Sequence, residues 1–157
     1  MSHINTIKVK KYSNVIEEWV ANAPILPGML VEIMSTGKVR KAAAESTTHN
    51  VMPMFAIEDE LQGKGVTDVY AQGDRVQVWI PRRGDQVLAL LETTHAVVIG
   101  DFLVSHGDGR LRKLIGADES IEGPPLKVVA MAMEAMDRSG ASDEDVQELG
   151  HIVVMVV

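Results

Sequence analysis

The chain has 157 residues, no cysteine, 46% apolar and 24% charged residues, and a net charge of −7. A chain of that length supports one self-sufficient core. The charge argues against a broad basic face for nucleic acid or anionic lipid, and the absence of Cys excludes disulfides, thiolate zinc sites and Cys nucleophiles.

The first residues, MSHINTIKVKK, lack the apolar stretch of a signal peptide. Ile4, Thr6, Lys8 and Lys10 alternate with Asn5, Ile7, Val9 and Lys11. That pattern fits either an ordinary first strand or an extended arm that adds to a neighbouring sheet. Residues 14–21 read as a short helix, with Val15, Ile16, Trp19 and Val20 to one side, Asn14 and Glu17 at capping-box spacing, and Pro24 as the stop. Residues 1–23 are therefore expected to form an arm or first strand plus a short helix, and residues 24–157 a single β-rich domain.

From there glycines punctuate short apolar stretches. Gly73-Asp74 opens RVQVWI, with Val76, Val78 and Ile80 on one face; Gly84-Asp85 opens QVLALL, apolar on both faces and so expected inside a sheet; Gly100-Asp101 opens FLV. Residues 126–136 alternate Val129, Met131 and Met133 with Ala130 and Ala132, which favours a strand with one crowded and one tight face over a helix. HIVVMVV ends the sequence as a buried strand, and residues 142–149 leave room for a helical turn. Short strands at 8–12-residue spacing with Gly and Asp turns predict a mainly β fold, a small barrel or sandwich with one or two short helices. Polar stretches at 44–50, 59–68, 116–125 and 137–150 are long for a compact domain, where the median connection is about 4–6 residues. No run approaches about 18 apolar residues, so no membrane span is expected.

One pattern repeats. GMLVEIMSTGKVRK (28–41) and GDFLVSHGDGRLRK (100–113) both carry glycines nine residues apart, then a basic residue, an aliphatic, Arg and Lys. Each reads as strand, tight turn, strand, with the second glycine at positive φ.

Catalytic chemistry finds little support. His3, His49, His95, His106 and His151 never stand two, three or four residues apart, as a metal site on one helix or strand would require, and each reads as a surface or turn residue. GDG at 107–109 reads more simply as a hairpin turn than as an anion or calcium cradle. The carboxylate runs at 58–60 and 143–145 lie in loop-like stretches, whereas acid–base work needs two carboxylates in different environments of one cleft. No nucleophile elbow, P-loop or dinucleotide fingerprint is present. Basic residues gather at Lys8, Lys10 and Lys11, at Arg82-Arg83, and at Arg110, Arg112 and Lys113. They suit either edge charges that block aggregation or small positive patches for an acidic partner or a second copy.

Several segments carry a resemblance: PILPGMLVEIMSTGKVRK (24–41), MFAIED (54–59), YAQGDRV (70–76), PRRGDQV (81–87) and GDFLVS (100–105) with Gly107-Asp108-Gly109 and Leu111. In their order of Gly-Asp turns they resemble the capsid decoration, or head-cement, proteins of tailed bacteriophages. The acidic stretch 143–148 stands outside that pattern. The resemblance implies a non-enzymatic structural virion protein without cofactors, placed on the outer capsid surface. It would bind the major capsid protein and itself, as a homotrimer rather than a dimer, and touch neither nucleic acid nor membrane. The candidate capsid or oligomer contacts are Ile4, Ile7, Val9, Tyr12, Trp19, Arg82, Arg83, Arg110 and Arg112. If the first segment docks on the capsid, deleting residues 1–12 should weaken binding and leave the fold intact. The rivals are a trimeric β-barrel enzyme and a carrier-type β domain with a small-molecule ligand at a subunit interface. Carrier domains present a modifiable Lys at a hairpin tip, and AMAMEAM has none.

Overall fold

The computed structural model describes residues 4–43, 51–115, 128–140 and 150–157. The expected loops 44–50 and 116–125 and the helical turn after Ser142 lie outside the described residues. The strands are β1 Lys8–Lys10, β2 Ile16–Val20, β3 Val31–Ile33, β4 Val39–Lys41, β5 Phe55–Ala56, β6 Arg75–Trp79, β7 Gln86–Leu90, β8 Ala96–Val97, β9 Phe102–Ser105, β10 Leu111–Lys113, β11 Val128–Ala132, β12 Met136–Asp137 and β13 His151–Val156. All paired strands run antiparallel. A six-stranded sheet has the order β1-β7-β13-β11-β9-β10; a three-stranded sheet, β2-β6-β5; and β3-β4 and β12-β8 form two-stranded ribbons. None of these sheets closes into a barrel, and the fold is sandwich-like.

Side-chain alternation sets the layers. Phe55 and Trp79 are paired across β5 and β6 and join the large cluster that also holds Val87, Ala89, Leu103, Ala130, Ile152 and Val154 of the six-stranded sheet. The next pair, Ala56 and Val78, joins the second cluster with Val31 and Val39 of the β3-β4 ribbon. The three-stranded sheet is thus a middle layer, apolar on both faces.

That placement corrects the helix expected at 14–21, where the chain forms β2 instead. Ile16 pairs with Trp79 and packs on the large cluster, while Trp19 pairs with Val76 and packs on the second. A spacing of three residues sends two strand side chains to opposite faces. Both faces of a middle layer are apolar, so the pattern imitates one helical stripe. The helical structure among the described residues is a 3-10 turn at Glu60–Gln62.

The repeated pattern forms two hairpins, β3-β4 and β9-β10, with Gly37 at φ 75° and Gly109 at φ 86°. They meet through Gly109, whose carbonyl accepts from Leu30 N–H at 2.8 Å and whose N–H donates to Ala42 O at 3.1 Å. A Cβ at Gly109 would stand 3.0 Å from Lys41 Cβ, so this close approach, as well as the positive φ, demands glycine. The 126–136 stretch supplies β11, and β7 and β13 run inside the sheet, as their two-sided apolar character predicts.

Three Gly-Asp turns share one construction. At 71–74, 82–85 and 98–101 the Asp N–H donates to the carbonyl three residues back, at 3.1, 3.0 and 3.1 Å. In return each Asp carboxylate accepts the N–H of that same residue, at 2.8, 2.8 and 2.9 Å. The intervening glycines have φ of 90°, 93° and 92°, as the third position of a type II turn requires.

The first described segment is built into this body. Ile7 is fully buried in the large cluster, and its N–H donates to Glu58 Oε2 at 3.0 Å. β1 pairs with β7. Deleting residues 1–12 would remove a strand and a core side chain, so the expectation that the fold survives that deletion does not hold.

Candidate functional site

Asp85 is fully buried at the junction of three segments. Its Oδ1 accepts Tyr12 N–H at 2.6 Å, and its Oδ2 accepts Arg82 N–H at 2.8 Å. Its own carbonyl accepts Val156 N–H at 2.9 Å, and Gly84 N–H donates to Val156 O at 2.8 Å. The carboxylate therefore ties the segment after β1 to the turn before β7, and the backbone of Gly84 and Asp85 ties that turn to the end of β13. The result is an outward-facing group: Tyr12 is 77% exposed, and Arg82 and Arg83 are exposed on the turn. Neither Arg forms an ion pair with a described residue.

Replacing Asp85 by Ala leaves two backbone donors without a partner and removes charge-assisted bonds worth roughly 1.5–3 kcal/mol each. We expect a loss of about 3 kcal/mol in a chemical unfolding titration, and faster proteolysis within residues 8–14. Asp85→Asn, which keeps one acceptor, should fall between the two.

The other expected contacts lie elsewhere. Arg110 and Arg112 flank and occupy β10, at the opposite edge of the six-stranded sheet from β1. The Arg110 guanidinium is held by Asp108, with Nε to Oδ2 at 2.7 Å, and Lys113 pairs with Asp101 at 2.7 Å. Arg112 NH1 donates to Lys113 O at 3.4 Å. Asp108 sits below the usual carboxylate range because hydrogen bonds from Arg110, with the Arg110 and His106 charges, outweigh the opposing effect of its own burial. Ile4 and Val9 are partly buried against the large cluster, and Trp19 against the second. Ile7, fully buried, is a core residue and is out of reach of a partner as the protein stands.

The chemically suggestive groups serve structure. Tyr70 lines a surface hollow of about 280 Å³ with Asp59, Lys64 and Arg75, but its hydroxyl donates to Ile57 O at 2.7 Å. Burial, with the nearby Asp59, Glu58 and Glu18 charges, pushes it up to about 12. Glu92, 1% exposed, accepts from Thr94 N–H at 2.6 Å and contacts His95 Nδ1 at 2.8 Å, so a tight turn occupies it. No cluster of three metal-ligating side chains occurs among the described residues.

His151 departs from the expected surface or turn role. It opens β13 and lies over Gly28, and its Nε2 donates to Pro27 O at 3.0 Å. Burial holds the imidazole below its ordinary 6.5, and the Arg138 charge adds to that against the Pro27 bond. A histidine with a lowered folded-state pKa is neutral when folded, and the unfolded chain takes up the extra proton. Its contribution is complete above pH 6.5 and is lost as pH falls through the folded value. The melting temperature should therefore decline as the pH falls below about 6.5. His151→Gln should flatten that part of the profile.

Sequence reasoning missed Asp85 as a junction, although PRRGDQV shows the same Gly-Asp signature as the other two turns.

No family model and no curated protein sequence matches the chain. Among solved structures, the chain is similar in fold to a phage head protein. That protein is the N base of head fiber gp8.5 of bacteriophage phi29, with TM-score 0.52 and 17% identity, over 92% of this chain and 95% of that one. At that identity the likeness is one of fold, and it spans nearly the whole of both chains.

Proposed function

We propose that this protein is a non-enzymatic structural component of a tailed-phage head, that it sits on the outer surface of the shell, and that it ties adjoining major capsid subunits together. The observation that carries this reading is the fold likeness to a phage head fiber base over nearly the whole chain. The order of Gly-Asp turns, which resembles that of decoration proteins, supports it independently. Stabilising a shell calls for many modest contacts, each burying roughly 1,200–2,000 Å², whose effect multiplies through repetition. A rigid sandwich with stapled turns suits that task, and a closed homotrimer would match a symmetric lattice.

The test is the native mass by light scattering, followed by co-sedimentation with expanded heads of the phage that encodes the chain. An oligomer pelleting at a fixed copy number per capsid subunit supports the proposal. A monomer that stays in the supernatant overturns it.

A further inference from the structure

The register of the six-stranded sheet lines up one row of side chains across five strands. Lys10 pairs with Gln86, Gln86 with Met155, Met155 with Met131, and Met131 with Phe102. Directly paired residues share a face, and at about 4.8 Å per strand the row is roughly 19 Å long. The adjacent row, Leu103, Ala130 and Val156, is 0–2% exposed and faces the core. The row through Phe102 points away from it: Gln86, Met131 and Met155 are half-buried, Lys10 is exposed and Phe102 is 48% exposed. At its far end the 98–101 turn raises Val98 and Ile99, 56% and 68% exposed. At its near end stand Lys11, Tyr12, Arg82 and Arg83, on the two segments whose backbones the Asp85 carboxylate joins at Tyr12 and Arg82. This row is the open margin of a face that is buried one pair further along, at Leu88 and Val153, and it is apolar at one end and aromatic and cationic at the other. Isolated exposed apolar residues are ordinary, but a contiguous series beside Tyr and Arg has the composition of an interface centre.

The charge selects the occupant. Lys10, Lys11, Arg82 and Arg83 contribute +4 to a chain of net −7, so the remainder carries −11. None of the exposed residues named in this patch is a carboxylate. A two-fold contact between copies would set the patch against itself and leave those cations uncompensated, whereas a head-to-tail contact, as in a trimer, would set it against another face of the acidic remainder, and the native mass of the variants separates that case from a capsid surface. Four cations are also fewer than the roughly 6–10 phosphate contacts of a salt-sensitive DNA binder.

We infer that this face docks on an acidic protein surface that also offers an apolar side chain to the Phe102 end. The inference rests on the proposed head association for where that surface is found, namely the capsid.

The test compares the unaltered protein with Arg82→Glu/Arg83→Glu and, separately, with Phe102→Ser/Ile99→Ser, in co-sedimentation with expanded heads. These side chains are exposed, so melting temperatures should hold, and any variant that melts early is replaced by Tyr12→Ala. Each variant should bind at least about 30-fold more weakly, and binding of the unaltered protein should weaken with added salt. If the unaltered protein and the variants co-sediment alike, head association stands and this face is overturned. If the unaltered protein fails to co-sediment, both readings fall. A variant whose native mass drops would show that a second copy occupies the face, and retention of the unaltered protein on duplex DNA would show a nucleic-acid surface. Either result also overturns the inference.

Discussion

Removing residues 1–12 is expected to cost about 5–8 kcal/mol, a large part of the roughly 5–15 kcal/mol that holds a domain together. Ile7 leaves a fully buried site in the large cluster, and emptying such a site costs about 2–5 kcal/mol. Glu58 loses the Ile7 N–H, and Asp85 loses the Tyr12 N–H. Buried charged groups deprived of a donor add about 1–3 kcal/mol or more each. β7 loses its pairing with β1 and becomes the edge of the sheet. For a chain of this size each kcal/mol moves the melting temperature by about 2–4 °C, so the shortened protein should melt some 10–30 °C lower or show no cooperative transition. Differential scanning calorimetry decides it. A shortened chain melting at the original temperature would mean that the segment contributes nothing to the fold. The result also bears on any binding assay with this deletion, because lost binding would then report lost structure.

Trp79→Ala is expected to have the second large effect. Trp79 is among the largest fully buried side chains, sits on the face of the middle layer that meets the six-stranded sheet, and donates its indole N–H to Ser13 O at 3.1 Å. Truncation removes its packing and leaves a cavity between two layers, at about 3–5 kcal/mol. Trp79→Phe, which keeps much of the ring and loses the hydrogen bond, should cost about 1–2 kcal/mol. Urea unfolding followed by circular dichroism measures both. With Trp79 gone, Trp19 is the remaining tryptophan. It is partly buried against the second cluster, so its fluorescence reports on the β3-β4 side of the molecule alone.

Much of the fold was legible because it depends on local chemistry. A Gly-Asp pair before an alternating run specifies a positive-φ glycine and a carboxylate that staples the turn, and all three such turns form as the residues imply. The two-sided apolar run of β7 placed it inside a sheet, and the Val/Met-against-Ala alternation identified β11. The repeat of 28–41 at 100–113 announced two hairpins. Residues 14–21 misled because their periodicity is ambiguous. Apolar residues three apart describe one helix face or two strand faces, and only the partners decide which.

The candidate surface was legible in its parts. Tyr12, Arg82 and Arg83 were singled out, and Asp85 brings them together over a sequence separation of 73. Arg110 and Arg112, chosen on the same grounds, stand at the far edge of the sheet, with Arg110 held by Asp108. Charge type could not separate the two groups, since exposure and pairing are properties of the packed chain.

By itself the sequence determined turn positions, strand periods and the excess of acid over base, because these follow from backbone preference and side-chain chemistry within a few residues. The tertiary structure alone decided that the β2-β6-β5 sheet is a middle layer, that Ile7 belongs to the core, and that Phe102, Met131, Met155, Gln86 and Lys10 share one face. Those are matters of register between strands far apart in sequence. Register is set by burying the opposite face, and no single segment carries that information.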